Sequence, residues 1–167
     1  DTEKLESLIQ GCSICINLIG ILYEKKKNQF NNIHNYFPSI ISKLCSKKKI
    51  EQFIHFSSLG IENATDSIYA KSKIDGENSV IKNFNKSVIL KPSIIYSVDD
   101  NFTTNFMTLL NRLPFFPLYY EGNTKFTPIH ISDMVEIIFE VIERKITSEV
   151  IECVGPEELT FKEIILK

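Results

Sequence analysis

Phe53-Ile54-His55-Phe56-Ser57-Ser58, followed by Tyr69-Ala70-Lys71-Ser72-Lys73, is the stretch whose reading decides the fold. Its first part is a short apolar run that ends in hydroxyl side chains, as a strand buried in a sheet does. Its second part opens a helix that offers Ile74, Val80, Ile81 and Phe84 for packing. Tyr69 and Lys73 are four residues apart, so they share a helix face and their phenol and ammonium converge on one small volume. A nearby cation favours phenolate, which makes Tyr69 a candidate proton donor or acceptor near neutral pH. Ser58, eleven residues earlier, is placed to hydrogen-bond an oxygen on which charge develops. Tyr-x-x-x-Lys alone also describes an exposed helix pair; the serines and the strand–loop–helix setting make it specific.

Outward from this stretch, the pattern repeats. Ile14-Cys15-Ile16-Asn17-Leu18-Ile19-Gly20 is almost continuously apolar, and Val88-Ile89-Leu90 is a second short run, ended by Pro92. Before the first lies an amphipathic helix over 2–10, with Leu5, Leu8 and Ile9 on one face and Gly11 as its stop. Between the first and the central stretch, Phe30, Ile33, Phe37, Ile40, Ile41 and Leu44 recur at helical spacing, with Pro38 as a kink or late start. Strands alternating with helices need crossover connections, so the strands at 14–19, 53–57 and 88–90 are expected as neighbours in one parallel sheet of the α/β class. The second half is less regular. It reads as a helix over Phe102–Leu113, a stiff apolar loop over Leu113–Leu118, a strand over Lys125–Ile131, a helix from Ser132 through Arg144, a strand over Val150–Val154 and a capping box at Thr160 and Glu163.

Bulk composition narrows the function classes. The chain has 167 residues, 43% hydrophobic and 24% charged, and a net charge of -2, so nothing advertises nucleic acid or an anionic membrane as partner. Lys25-Lys26-Lys27 and Lys47-Lys48-Lys49 read as solvated loops or helix ends. No apolar stretch approaches the roughly 20 residues that span a bilayer. Cys12 and Cys15 form no second half-site with other Cys or His residues, and the four cysteines read as reduced thiols. His55 and His130 read as satisfied strand histidines, so no metal is expected. No Gly-x-Gly-x-x-Gly loop follows a first strand, although a dinucleotide site in such a sheet rests its pyrophosphate there.

Taken together and in order, these segments resemble the atypical, NAD-dependent epimerase/dehydratase-like short-chain dehydrogenase/reductases. The closest likeness among them is to the NADPH-binding accessory subunit of respiratory complex I and its bacterial homologues. Asn17 to Glu24, Phe53 to Gly60, Tyr69 to Lys73 with Gly76-Glu77, Leu90 to Tyr96 with Asp99 to Phe102, Pro128 to Asp133 and Val154 to Phe161 carry the resemblance. It implies a Rossmann-like doubly wound parallel sheet that is N-terminally truncated, with the glycine loop before Asp1 and much of the substrate region after Lys167. Residues 1–98 would be the C-terminal part of the dinucleotide-binding domain. Residues 99–167 would be part of a smaller C-terminal substrate region, with the strand near 150–154 returning to the sheet.

The same resemblance implies the site. Ser58, Tyr69 and Lys73 would be catalytic if chemistry is retained. Asn17, Leu18, Gly20, Ser57, Tyr69, Lys73, Lys91, Pro92, Ser93 and Ile94 would contact NADP(H) or NAD(H). Asn17 reads equally well as a turn residue that satisfies backbone groups. Two departures stand out: Ser97 replaces a usual glycine, and His34 stands where related enzymes often carry an asparagine of the proton relay. Two functions follow. One is a structural, dinucleotide-binding accessory subunit of NADH:ubiquinone oxidoreductase, peripheral on the cytoplasmic or matrix side of an energy-transducing inner membrane, with complex I subunits as partners. The other is an active NAD(P)-dependent oxidoreductase or epimerase that uses a Ser–Tyr–Lys triad.

Overall fold

A computed structural model of the chain describes residues 2–64, 66–97 and 119–166. In order these residues form α1 (Thr2–Leu8), β1 (Ile14–Asn17), α2 (Gln29–Asn31), α3 (Phe37–Lys47), β2 (Gln52–Phe56), α4 (Ile68–Asn83), β3 (Val88–Pro92) and β4 (Ile95–Tyr96). After these come β5 (Lys125–Phe126), β6 (Ile129–His130), α5 (Ile131–Glu143), β7 (Glu149–Cys153), β8 (Leu159–Thr160) and α6 (Phe161–Leu166). The expected helix over Phe102–Leu113, the loop after it and Asp99 to Phe102 lie outside the described residues.

The three apolar runs are neighbours in one sheet, ordered β1-β2-β3-β7. β1 pairs with β2 in parallel, Ile14 opposite Gln52 and Asn17 opposite His55. β2 pairs with β3 in parallel, Ile54 opposite Val88. Period-two alternation sends Phe53 and His55 to one face of β2. On that face Phe53, Ile89, Cys45, Val80, Ile41, Leu44 and Phe84 form the core under α3 and α4. Burying each large side chain of this group contributes about 1.5–3 kcal/mol, which holds the helices on the sheet.

Pro38 sets the course of the helix before β2. In a regular helix its ring would meet the carbonyl four residues back, that of His34. The chain answers with a π-helical turn over Asn32–Tyr36, and α3 then starts with Pro38 in its first turn. His34 lies inside that wider turn, and its carbonyl is turned to α4: a Cβ on Gly76 would come within 1.8 Å of the His34 oxygen. α1 ends as expected before Gly11, at φ +81°.

The chain divides into two compact units, one comprising residues up to Lys91 with Val141–Glu152, the other Pro92–Glu140 with Cys153 onward. In the first, the Gln52 carboxamide donates to the carbonyls of Val141 (2.9 Å) and Ile146 (2.7 Å). In the second, β4 pairs with β6 in parallel and β5 with β8 antiparallel. The single strand expected over Lys125–Ile131 is two, β5 and β6, interrupted at Thr127-Pro128, where proline supplies no N–H to a ladder. The capping box forms: the Thr160 N–H and Glu163 Oε2 are 2.7 Å apart, and the Glu163 N–H and Thr160 Oγ1 3.2 Å.

Candidate functional site

β2 ends where its ladder runs out. The Ser57 N–H still donates to Leu90 O at 2.8 Å, and the chain then turns away. Ser67 caps the next helix, its Oγ accepting from the Ala70 N–H at 3.3 Å, which puts Tyr69 in the first turn of α4. The Tyr69 hydroxyl lies 2.9 Å from Ser58 Oγ. One turn on, the Lys73 ammonium is buried at 6% exposure, donates to Phe56 O at 3.3 Å and stands 6.0 Å from the centre of the Tyr69 ring. Burial pulls the Lys73 pKa below its ordinary value, and the Glu77 carboxylate opposes that pull. Serine, tyrosine and lysine thus meet on one spot, as their spacing requires.

Glu77 continues the same face of α4, one further turn on. It accepts from Ser57 Oγ through Oε1, and its Oε2 lies 3.0 Å from the Lys91 ammonium. Lys91 also bonds the Glu62 carboxylate. Burial alone would lower the Lys91 pKa, but Glu62 and Glu77 override it and hold the group above its usual value. The Ser57 hydroxyl and the Lys91 ammonium are therefore engaged with carboxylates.

The segment after β1 is held by two histidines and an asparagine. Asn17 Oδ1 accepts from the Ile19 N–H at 3.2 Å, so its Nδ2 is the group that donates to His55 Nδ1, 3.0 Å away. The His55 proton therefore sits on Nε2, which is buried with no hydrogen-bond partner among the described residues. The Ile21 N–H donates to His34 Nε2 at 3.1 Å, which places the His34 proton on Nδ1, facing Ser72 Oγ at 2.9 Å. Ser72 in turn donates to Tyr69 O at 2.7 Å. Burial first, then the Lys73 charge, lowers the pKa to about 4 at His34 and about 3 at His55. Both rings are neutral at physiological pH.

Leu18 and Gly20 lie on this exposed segment; a Cβ at Gly20 would stand 3.6 Å from Lys73 Nζ. In the second unit, Pro92 is the last residue of β3, the Ser93 N–H donates to Cys153 O at 3.0 Å, and Ile94 O accepts from the Ile129 N–H at 2.9 Å. Glu77 enters the sequence reading only as part of the resemblance and without a role, although it continues the Tyr69–Lys73 spacing. It also read His55 only as a satisfied strand residue, and the alternation with Phe53 and Ser57 was the available signal. Among the described residues, no group of His, Cys, Asp or Glu is arranged to hold a metal.

No protein-family model matches the chain. Over 166 residues, 99% of its length, it is 30% identical to NADH dehydrogenase (ubiquinone) 1 alpha subcomplex subunit 9, mitochondrial, of Dictyostelium discoideum, and covers 46% of that protein. By sequence the chain is similar to mitochondrial NADH dehydrogenase subunits. It spans less than half the length of the curated complex I relatives it matches. A dTDP-4-dehydrorhamnose reductase from Clostridium acetobutylicum has the same fold, with a TM-score of 0.84 at 15% identity over 99% of this chain and 65% of that one. So does a UDP-glucuronic acid 4-epimerase from Bacillus cereus solved with UDP-glucuronic acid and NAD, with a TM-score of 0.79 at 22% identity over 99% of this chain and 62% of that one.

Proposed function

We propose that this chain is part of a dinucleotide-binding accessory subunit of NADH:ubiquinone oxidoreductase, in which bound NADP(H) or NAD(H) stabilises the fold without turnover. The observation that carries the reading is the similarity to the Dictyostelium subunit along 99% of this chain. The relatives' mitochondrial names support a place on the matrix side of the inner membrane, as a peripheral partner of the complex. Among the described residues, no helix is long and apolar enough to cross a membrane, which is consistent with that placement.

The residues present fit a nicotinamide dinucleotide. Gly20 keeps the backbone beside the Lys73 ammonium free of a side chain, and the buried ammonium has two protons beyond the one given to Phe56 O. Asn17, Leu18, Gly20 and Ser57 would line the nicotinamide and ribose side with Tyr69 and Lys73, and Lys91 would act through Glu77. Pro92, Ser93 and Ile94 are proposed as further dinucleotide contacts. In an active protein the bound dinucleotide would supply hydride chemistry.

One observation favours a second reading, an active oxidoreductase or epimerase: Ser58 and Tyr69 keep a 2.9 Å contact beside a buried lysine. There Tyr69 would hold or release a proton at its phenol oxygen, Ser58 would orient the substrate oxygen and Lys73 would set its positive charge beside them. Tyr69→Phe in the full-length protein separates the readings, with cofactor affinity, turnover and assembly into the complex measured side by side. The subunit reading expects unchanged affinity and assembly and no activity in either protein. Turnover of a carbonyl or nucleotide-sugar substrate that is lost in Tyr69→Phe would overturn it.

A further inference from the structure

We propose that His34 is a positioning residue that fastens the Leu18–Ile21 segment to the helix carrying Tyr69 and Lys73. It thereby fixes the width of the gap that receives the nicotinamide end of the dinucleotide. The ligand in this statement rests on the function proposed above; the fastening does not.

The imidazole works on two elements at once. Nε2 accepts the Ile21 N–H at 3.1 Å, and Nδ1–H reaches Ser72 Oγ at 2.9 Å, in the same turn of helix as Tyr69 and Lys73. Through Ser72 the bond continues to the Tyr69 carbonyl. The ring is 1% exposed, stacks on Phe30 with centroids 5.4 Å apart and meets the Tyr69 ring edge-on at 5.3 Å. Its backbone is fixed as well, because the His34 carbonyl sits against Gly76. A histidine that only filled space would need neither nitrogen engaged with a different element. Among the described residues the segment it holds has little else to hold it: Leu18 and Ile19 are exposed, and Asn17 Oδ1 accepts from the Ile19 N–H alone. A Cβ at Gly20 would lie 3.8 Å from His34 Nε2 and 3.6 Å from Lys73 Nζ, so the segment rides directly on the imidazole and the ammonium together.

Packing and fastening separate by substitution. His34→Phe keeps a flat ring against Phe30 and loses both nitrogens. His34→Gln offers an acceptor for Ile21 and a donor for Ser72. In the full-length protein, amide hydrogen exchange at Ile21 and NADPH affinity are measured for wild type and both variants, with the amides of Phe53–Phe56 as the control. His34→Phe is expected to speed exchange at Ile21 and weaken NADPH binding, each by about tenfold, with the control unchanged. His34→Gln is expected to recover most of both. Ile21 exchange that stays at the wild-type rate in His34→Phe overturns the proposal. So does a His34→Gln variant with Ile21 as unprotected as in His34→Phe, whatever happens to the control. If Ile21 responds as expected while the wild type binds no dinucleotide, the fastening stands and the proposed function falls.

Discussion

Lys91 is a cation almost wholly withdrawn from water, and its partners differ in what they contribute. Its side chain is 9% exposed and that of Glu77 10%, whereas the Glu62 side chain is 53% exposed. Two charges buried together have lost their hydration, so removing one strands the other. Lys91→Met is therefore expected to cost about 3–5 kcal/mol, because it leaves the buried Glu77 carboxylate with the Ser57 hydroxyl as its only hydrogen-bond donor among the described residues. Glu62→Gln works on a solvated contact and is expected to cost less than about 1 kcal/mol. Urea unfolding of the two variants beside wild type measures both. Equal losses would mean that Lys91 is solvated in solution.

At the scale of elements, the π-helical turn over Asn32–Tyr36 and Gly76 of α4 are two halves of one contact. Alanine exceeds glycine in helix propensity by about 1 kcal/mol, so Gly76→Ala would stabilise a free helix. Here the added methyl would sit 1.8 Å from the His34 carbonyl oxygen, which is backbone and has nowhere to go. The expected result is a net loss of about 1–3 kcal/mol or more, with faster exchange at Ile21, because His34 moves with its carbonyl. A Tm equal to or above that of wild type would refute the contact.

The same elements show what sequence could and could not give. The strands were legible because β1, β2 and β3 are short apolar runs between helical periods; β2 and β3 are buried on both faces, which leaves no other pattern, whereas in β1 Ile16 is exposed. The Ser58–Tyr69–Lys73 convergence was legible because helical spacing is a fixed geometry. The π-turn was not: it adds one residue to a helix whose apolar spacing still reads as regular, and only Pro38 hints at it. The Gly76 approach and the His34 bridge depend on that extra residue, so they were hidden with it. Nor does spacing tell whether a lysine such as Lys91 faces a ligand or a carboxylate on another element.

For the whole molecule, His34 and His55 set an acid limit. Both have an ordinary value of 6.5, lowered in the fold to about 4 and about 3 by burial and the Lys73 charge. Between those values and 6.5 the unfolded chain binds protons that the folded chain refuses. Their contribution to stability is thus complete above pH 6.5, declines as pH falls and is exhausted below about 3. Urea unfolding at a series of pH values is expected to show this slope, and His34→Gln to flatten its upper part. A stability that rises from pH 6.5 to 4 would contradict the neutral, buried assignment of both rings.

The order β1-β2-β3-β7 also has a consequence in time. A ribosome delivers β1, β2 and β3 with the helices between them, and these can collapse as they emerge. β7 begins at Glu149, long after β3 has ended at Pro92. At about 5–20 residues per second, the outer edge of β3 waits several seconds for the strand that covers it. The Gln52 carboxamide waits for its Val141 and Ile146 carbonyls over the same interval. Until they arrive, the nascent chain presents an open strand edge to any other chain that can pair with it, so each round of synthesis passes through a period when a holding chaperone has something to protect.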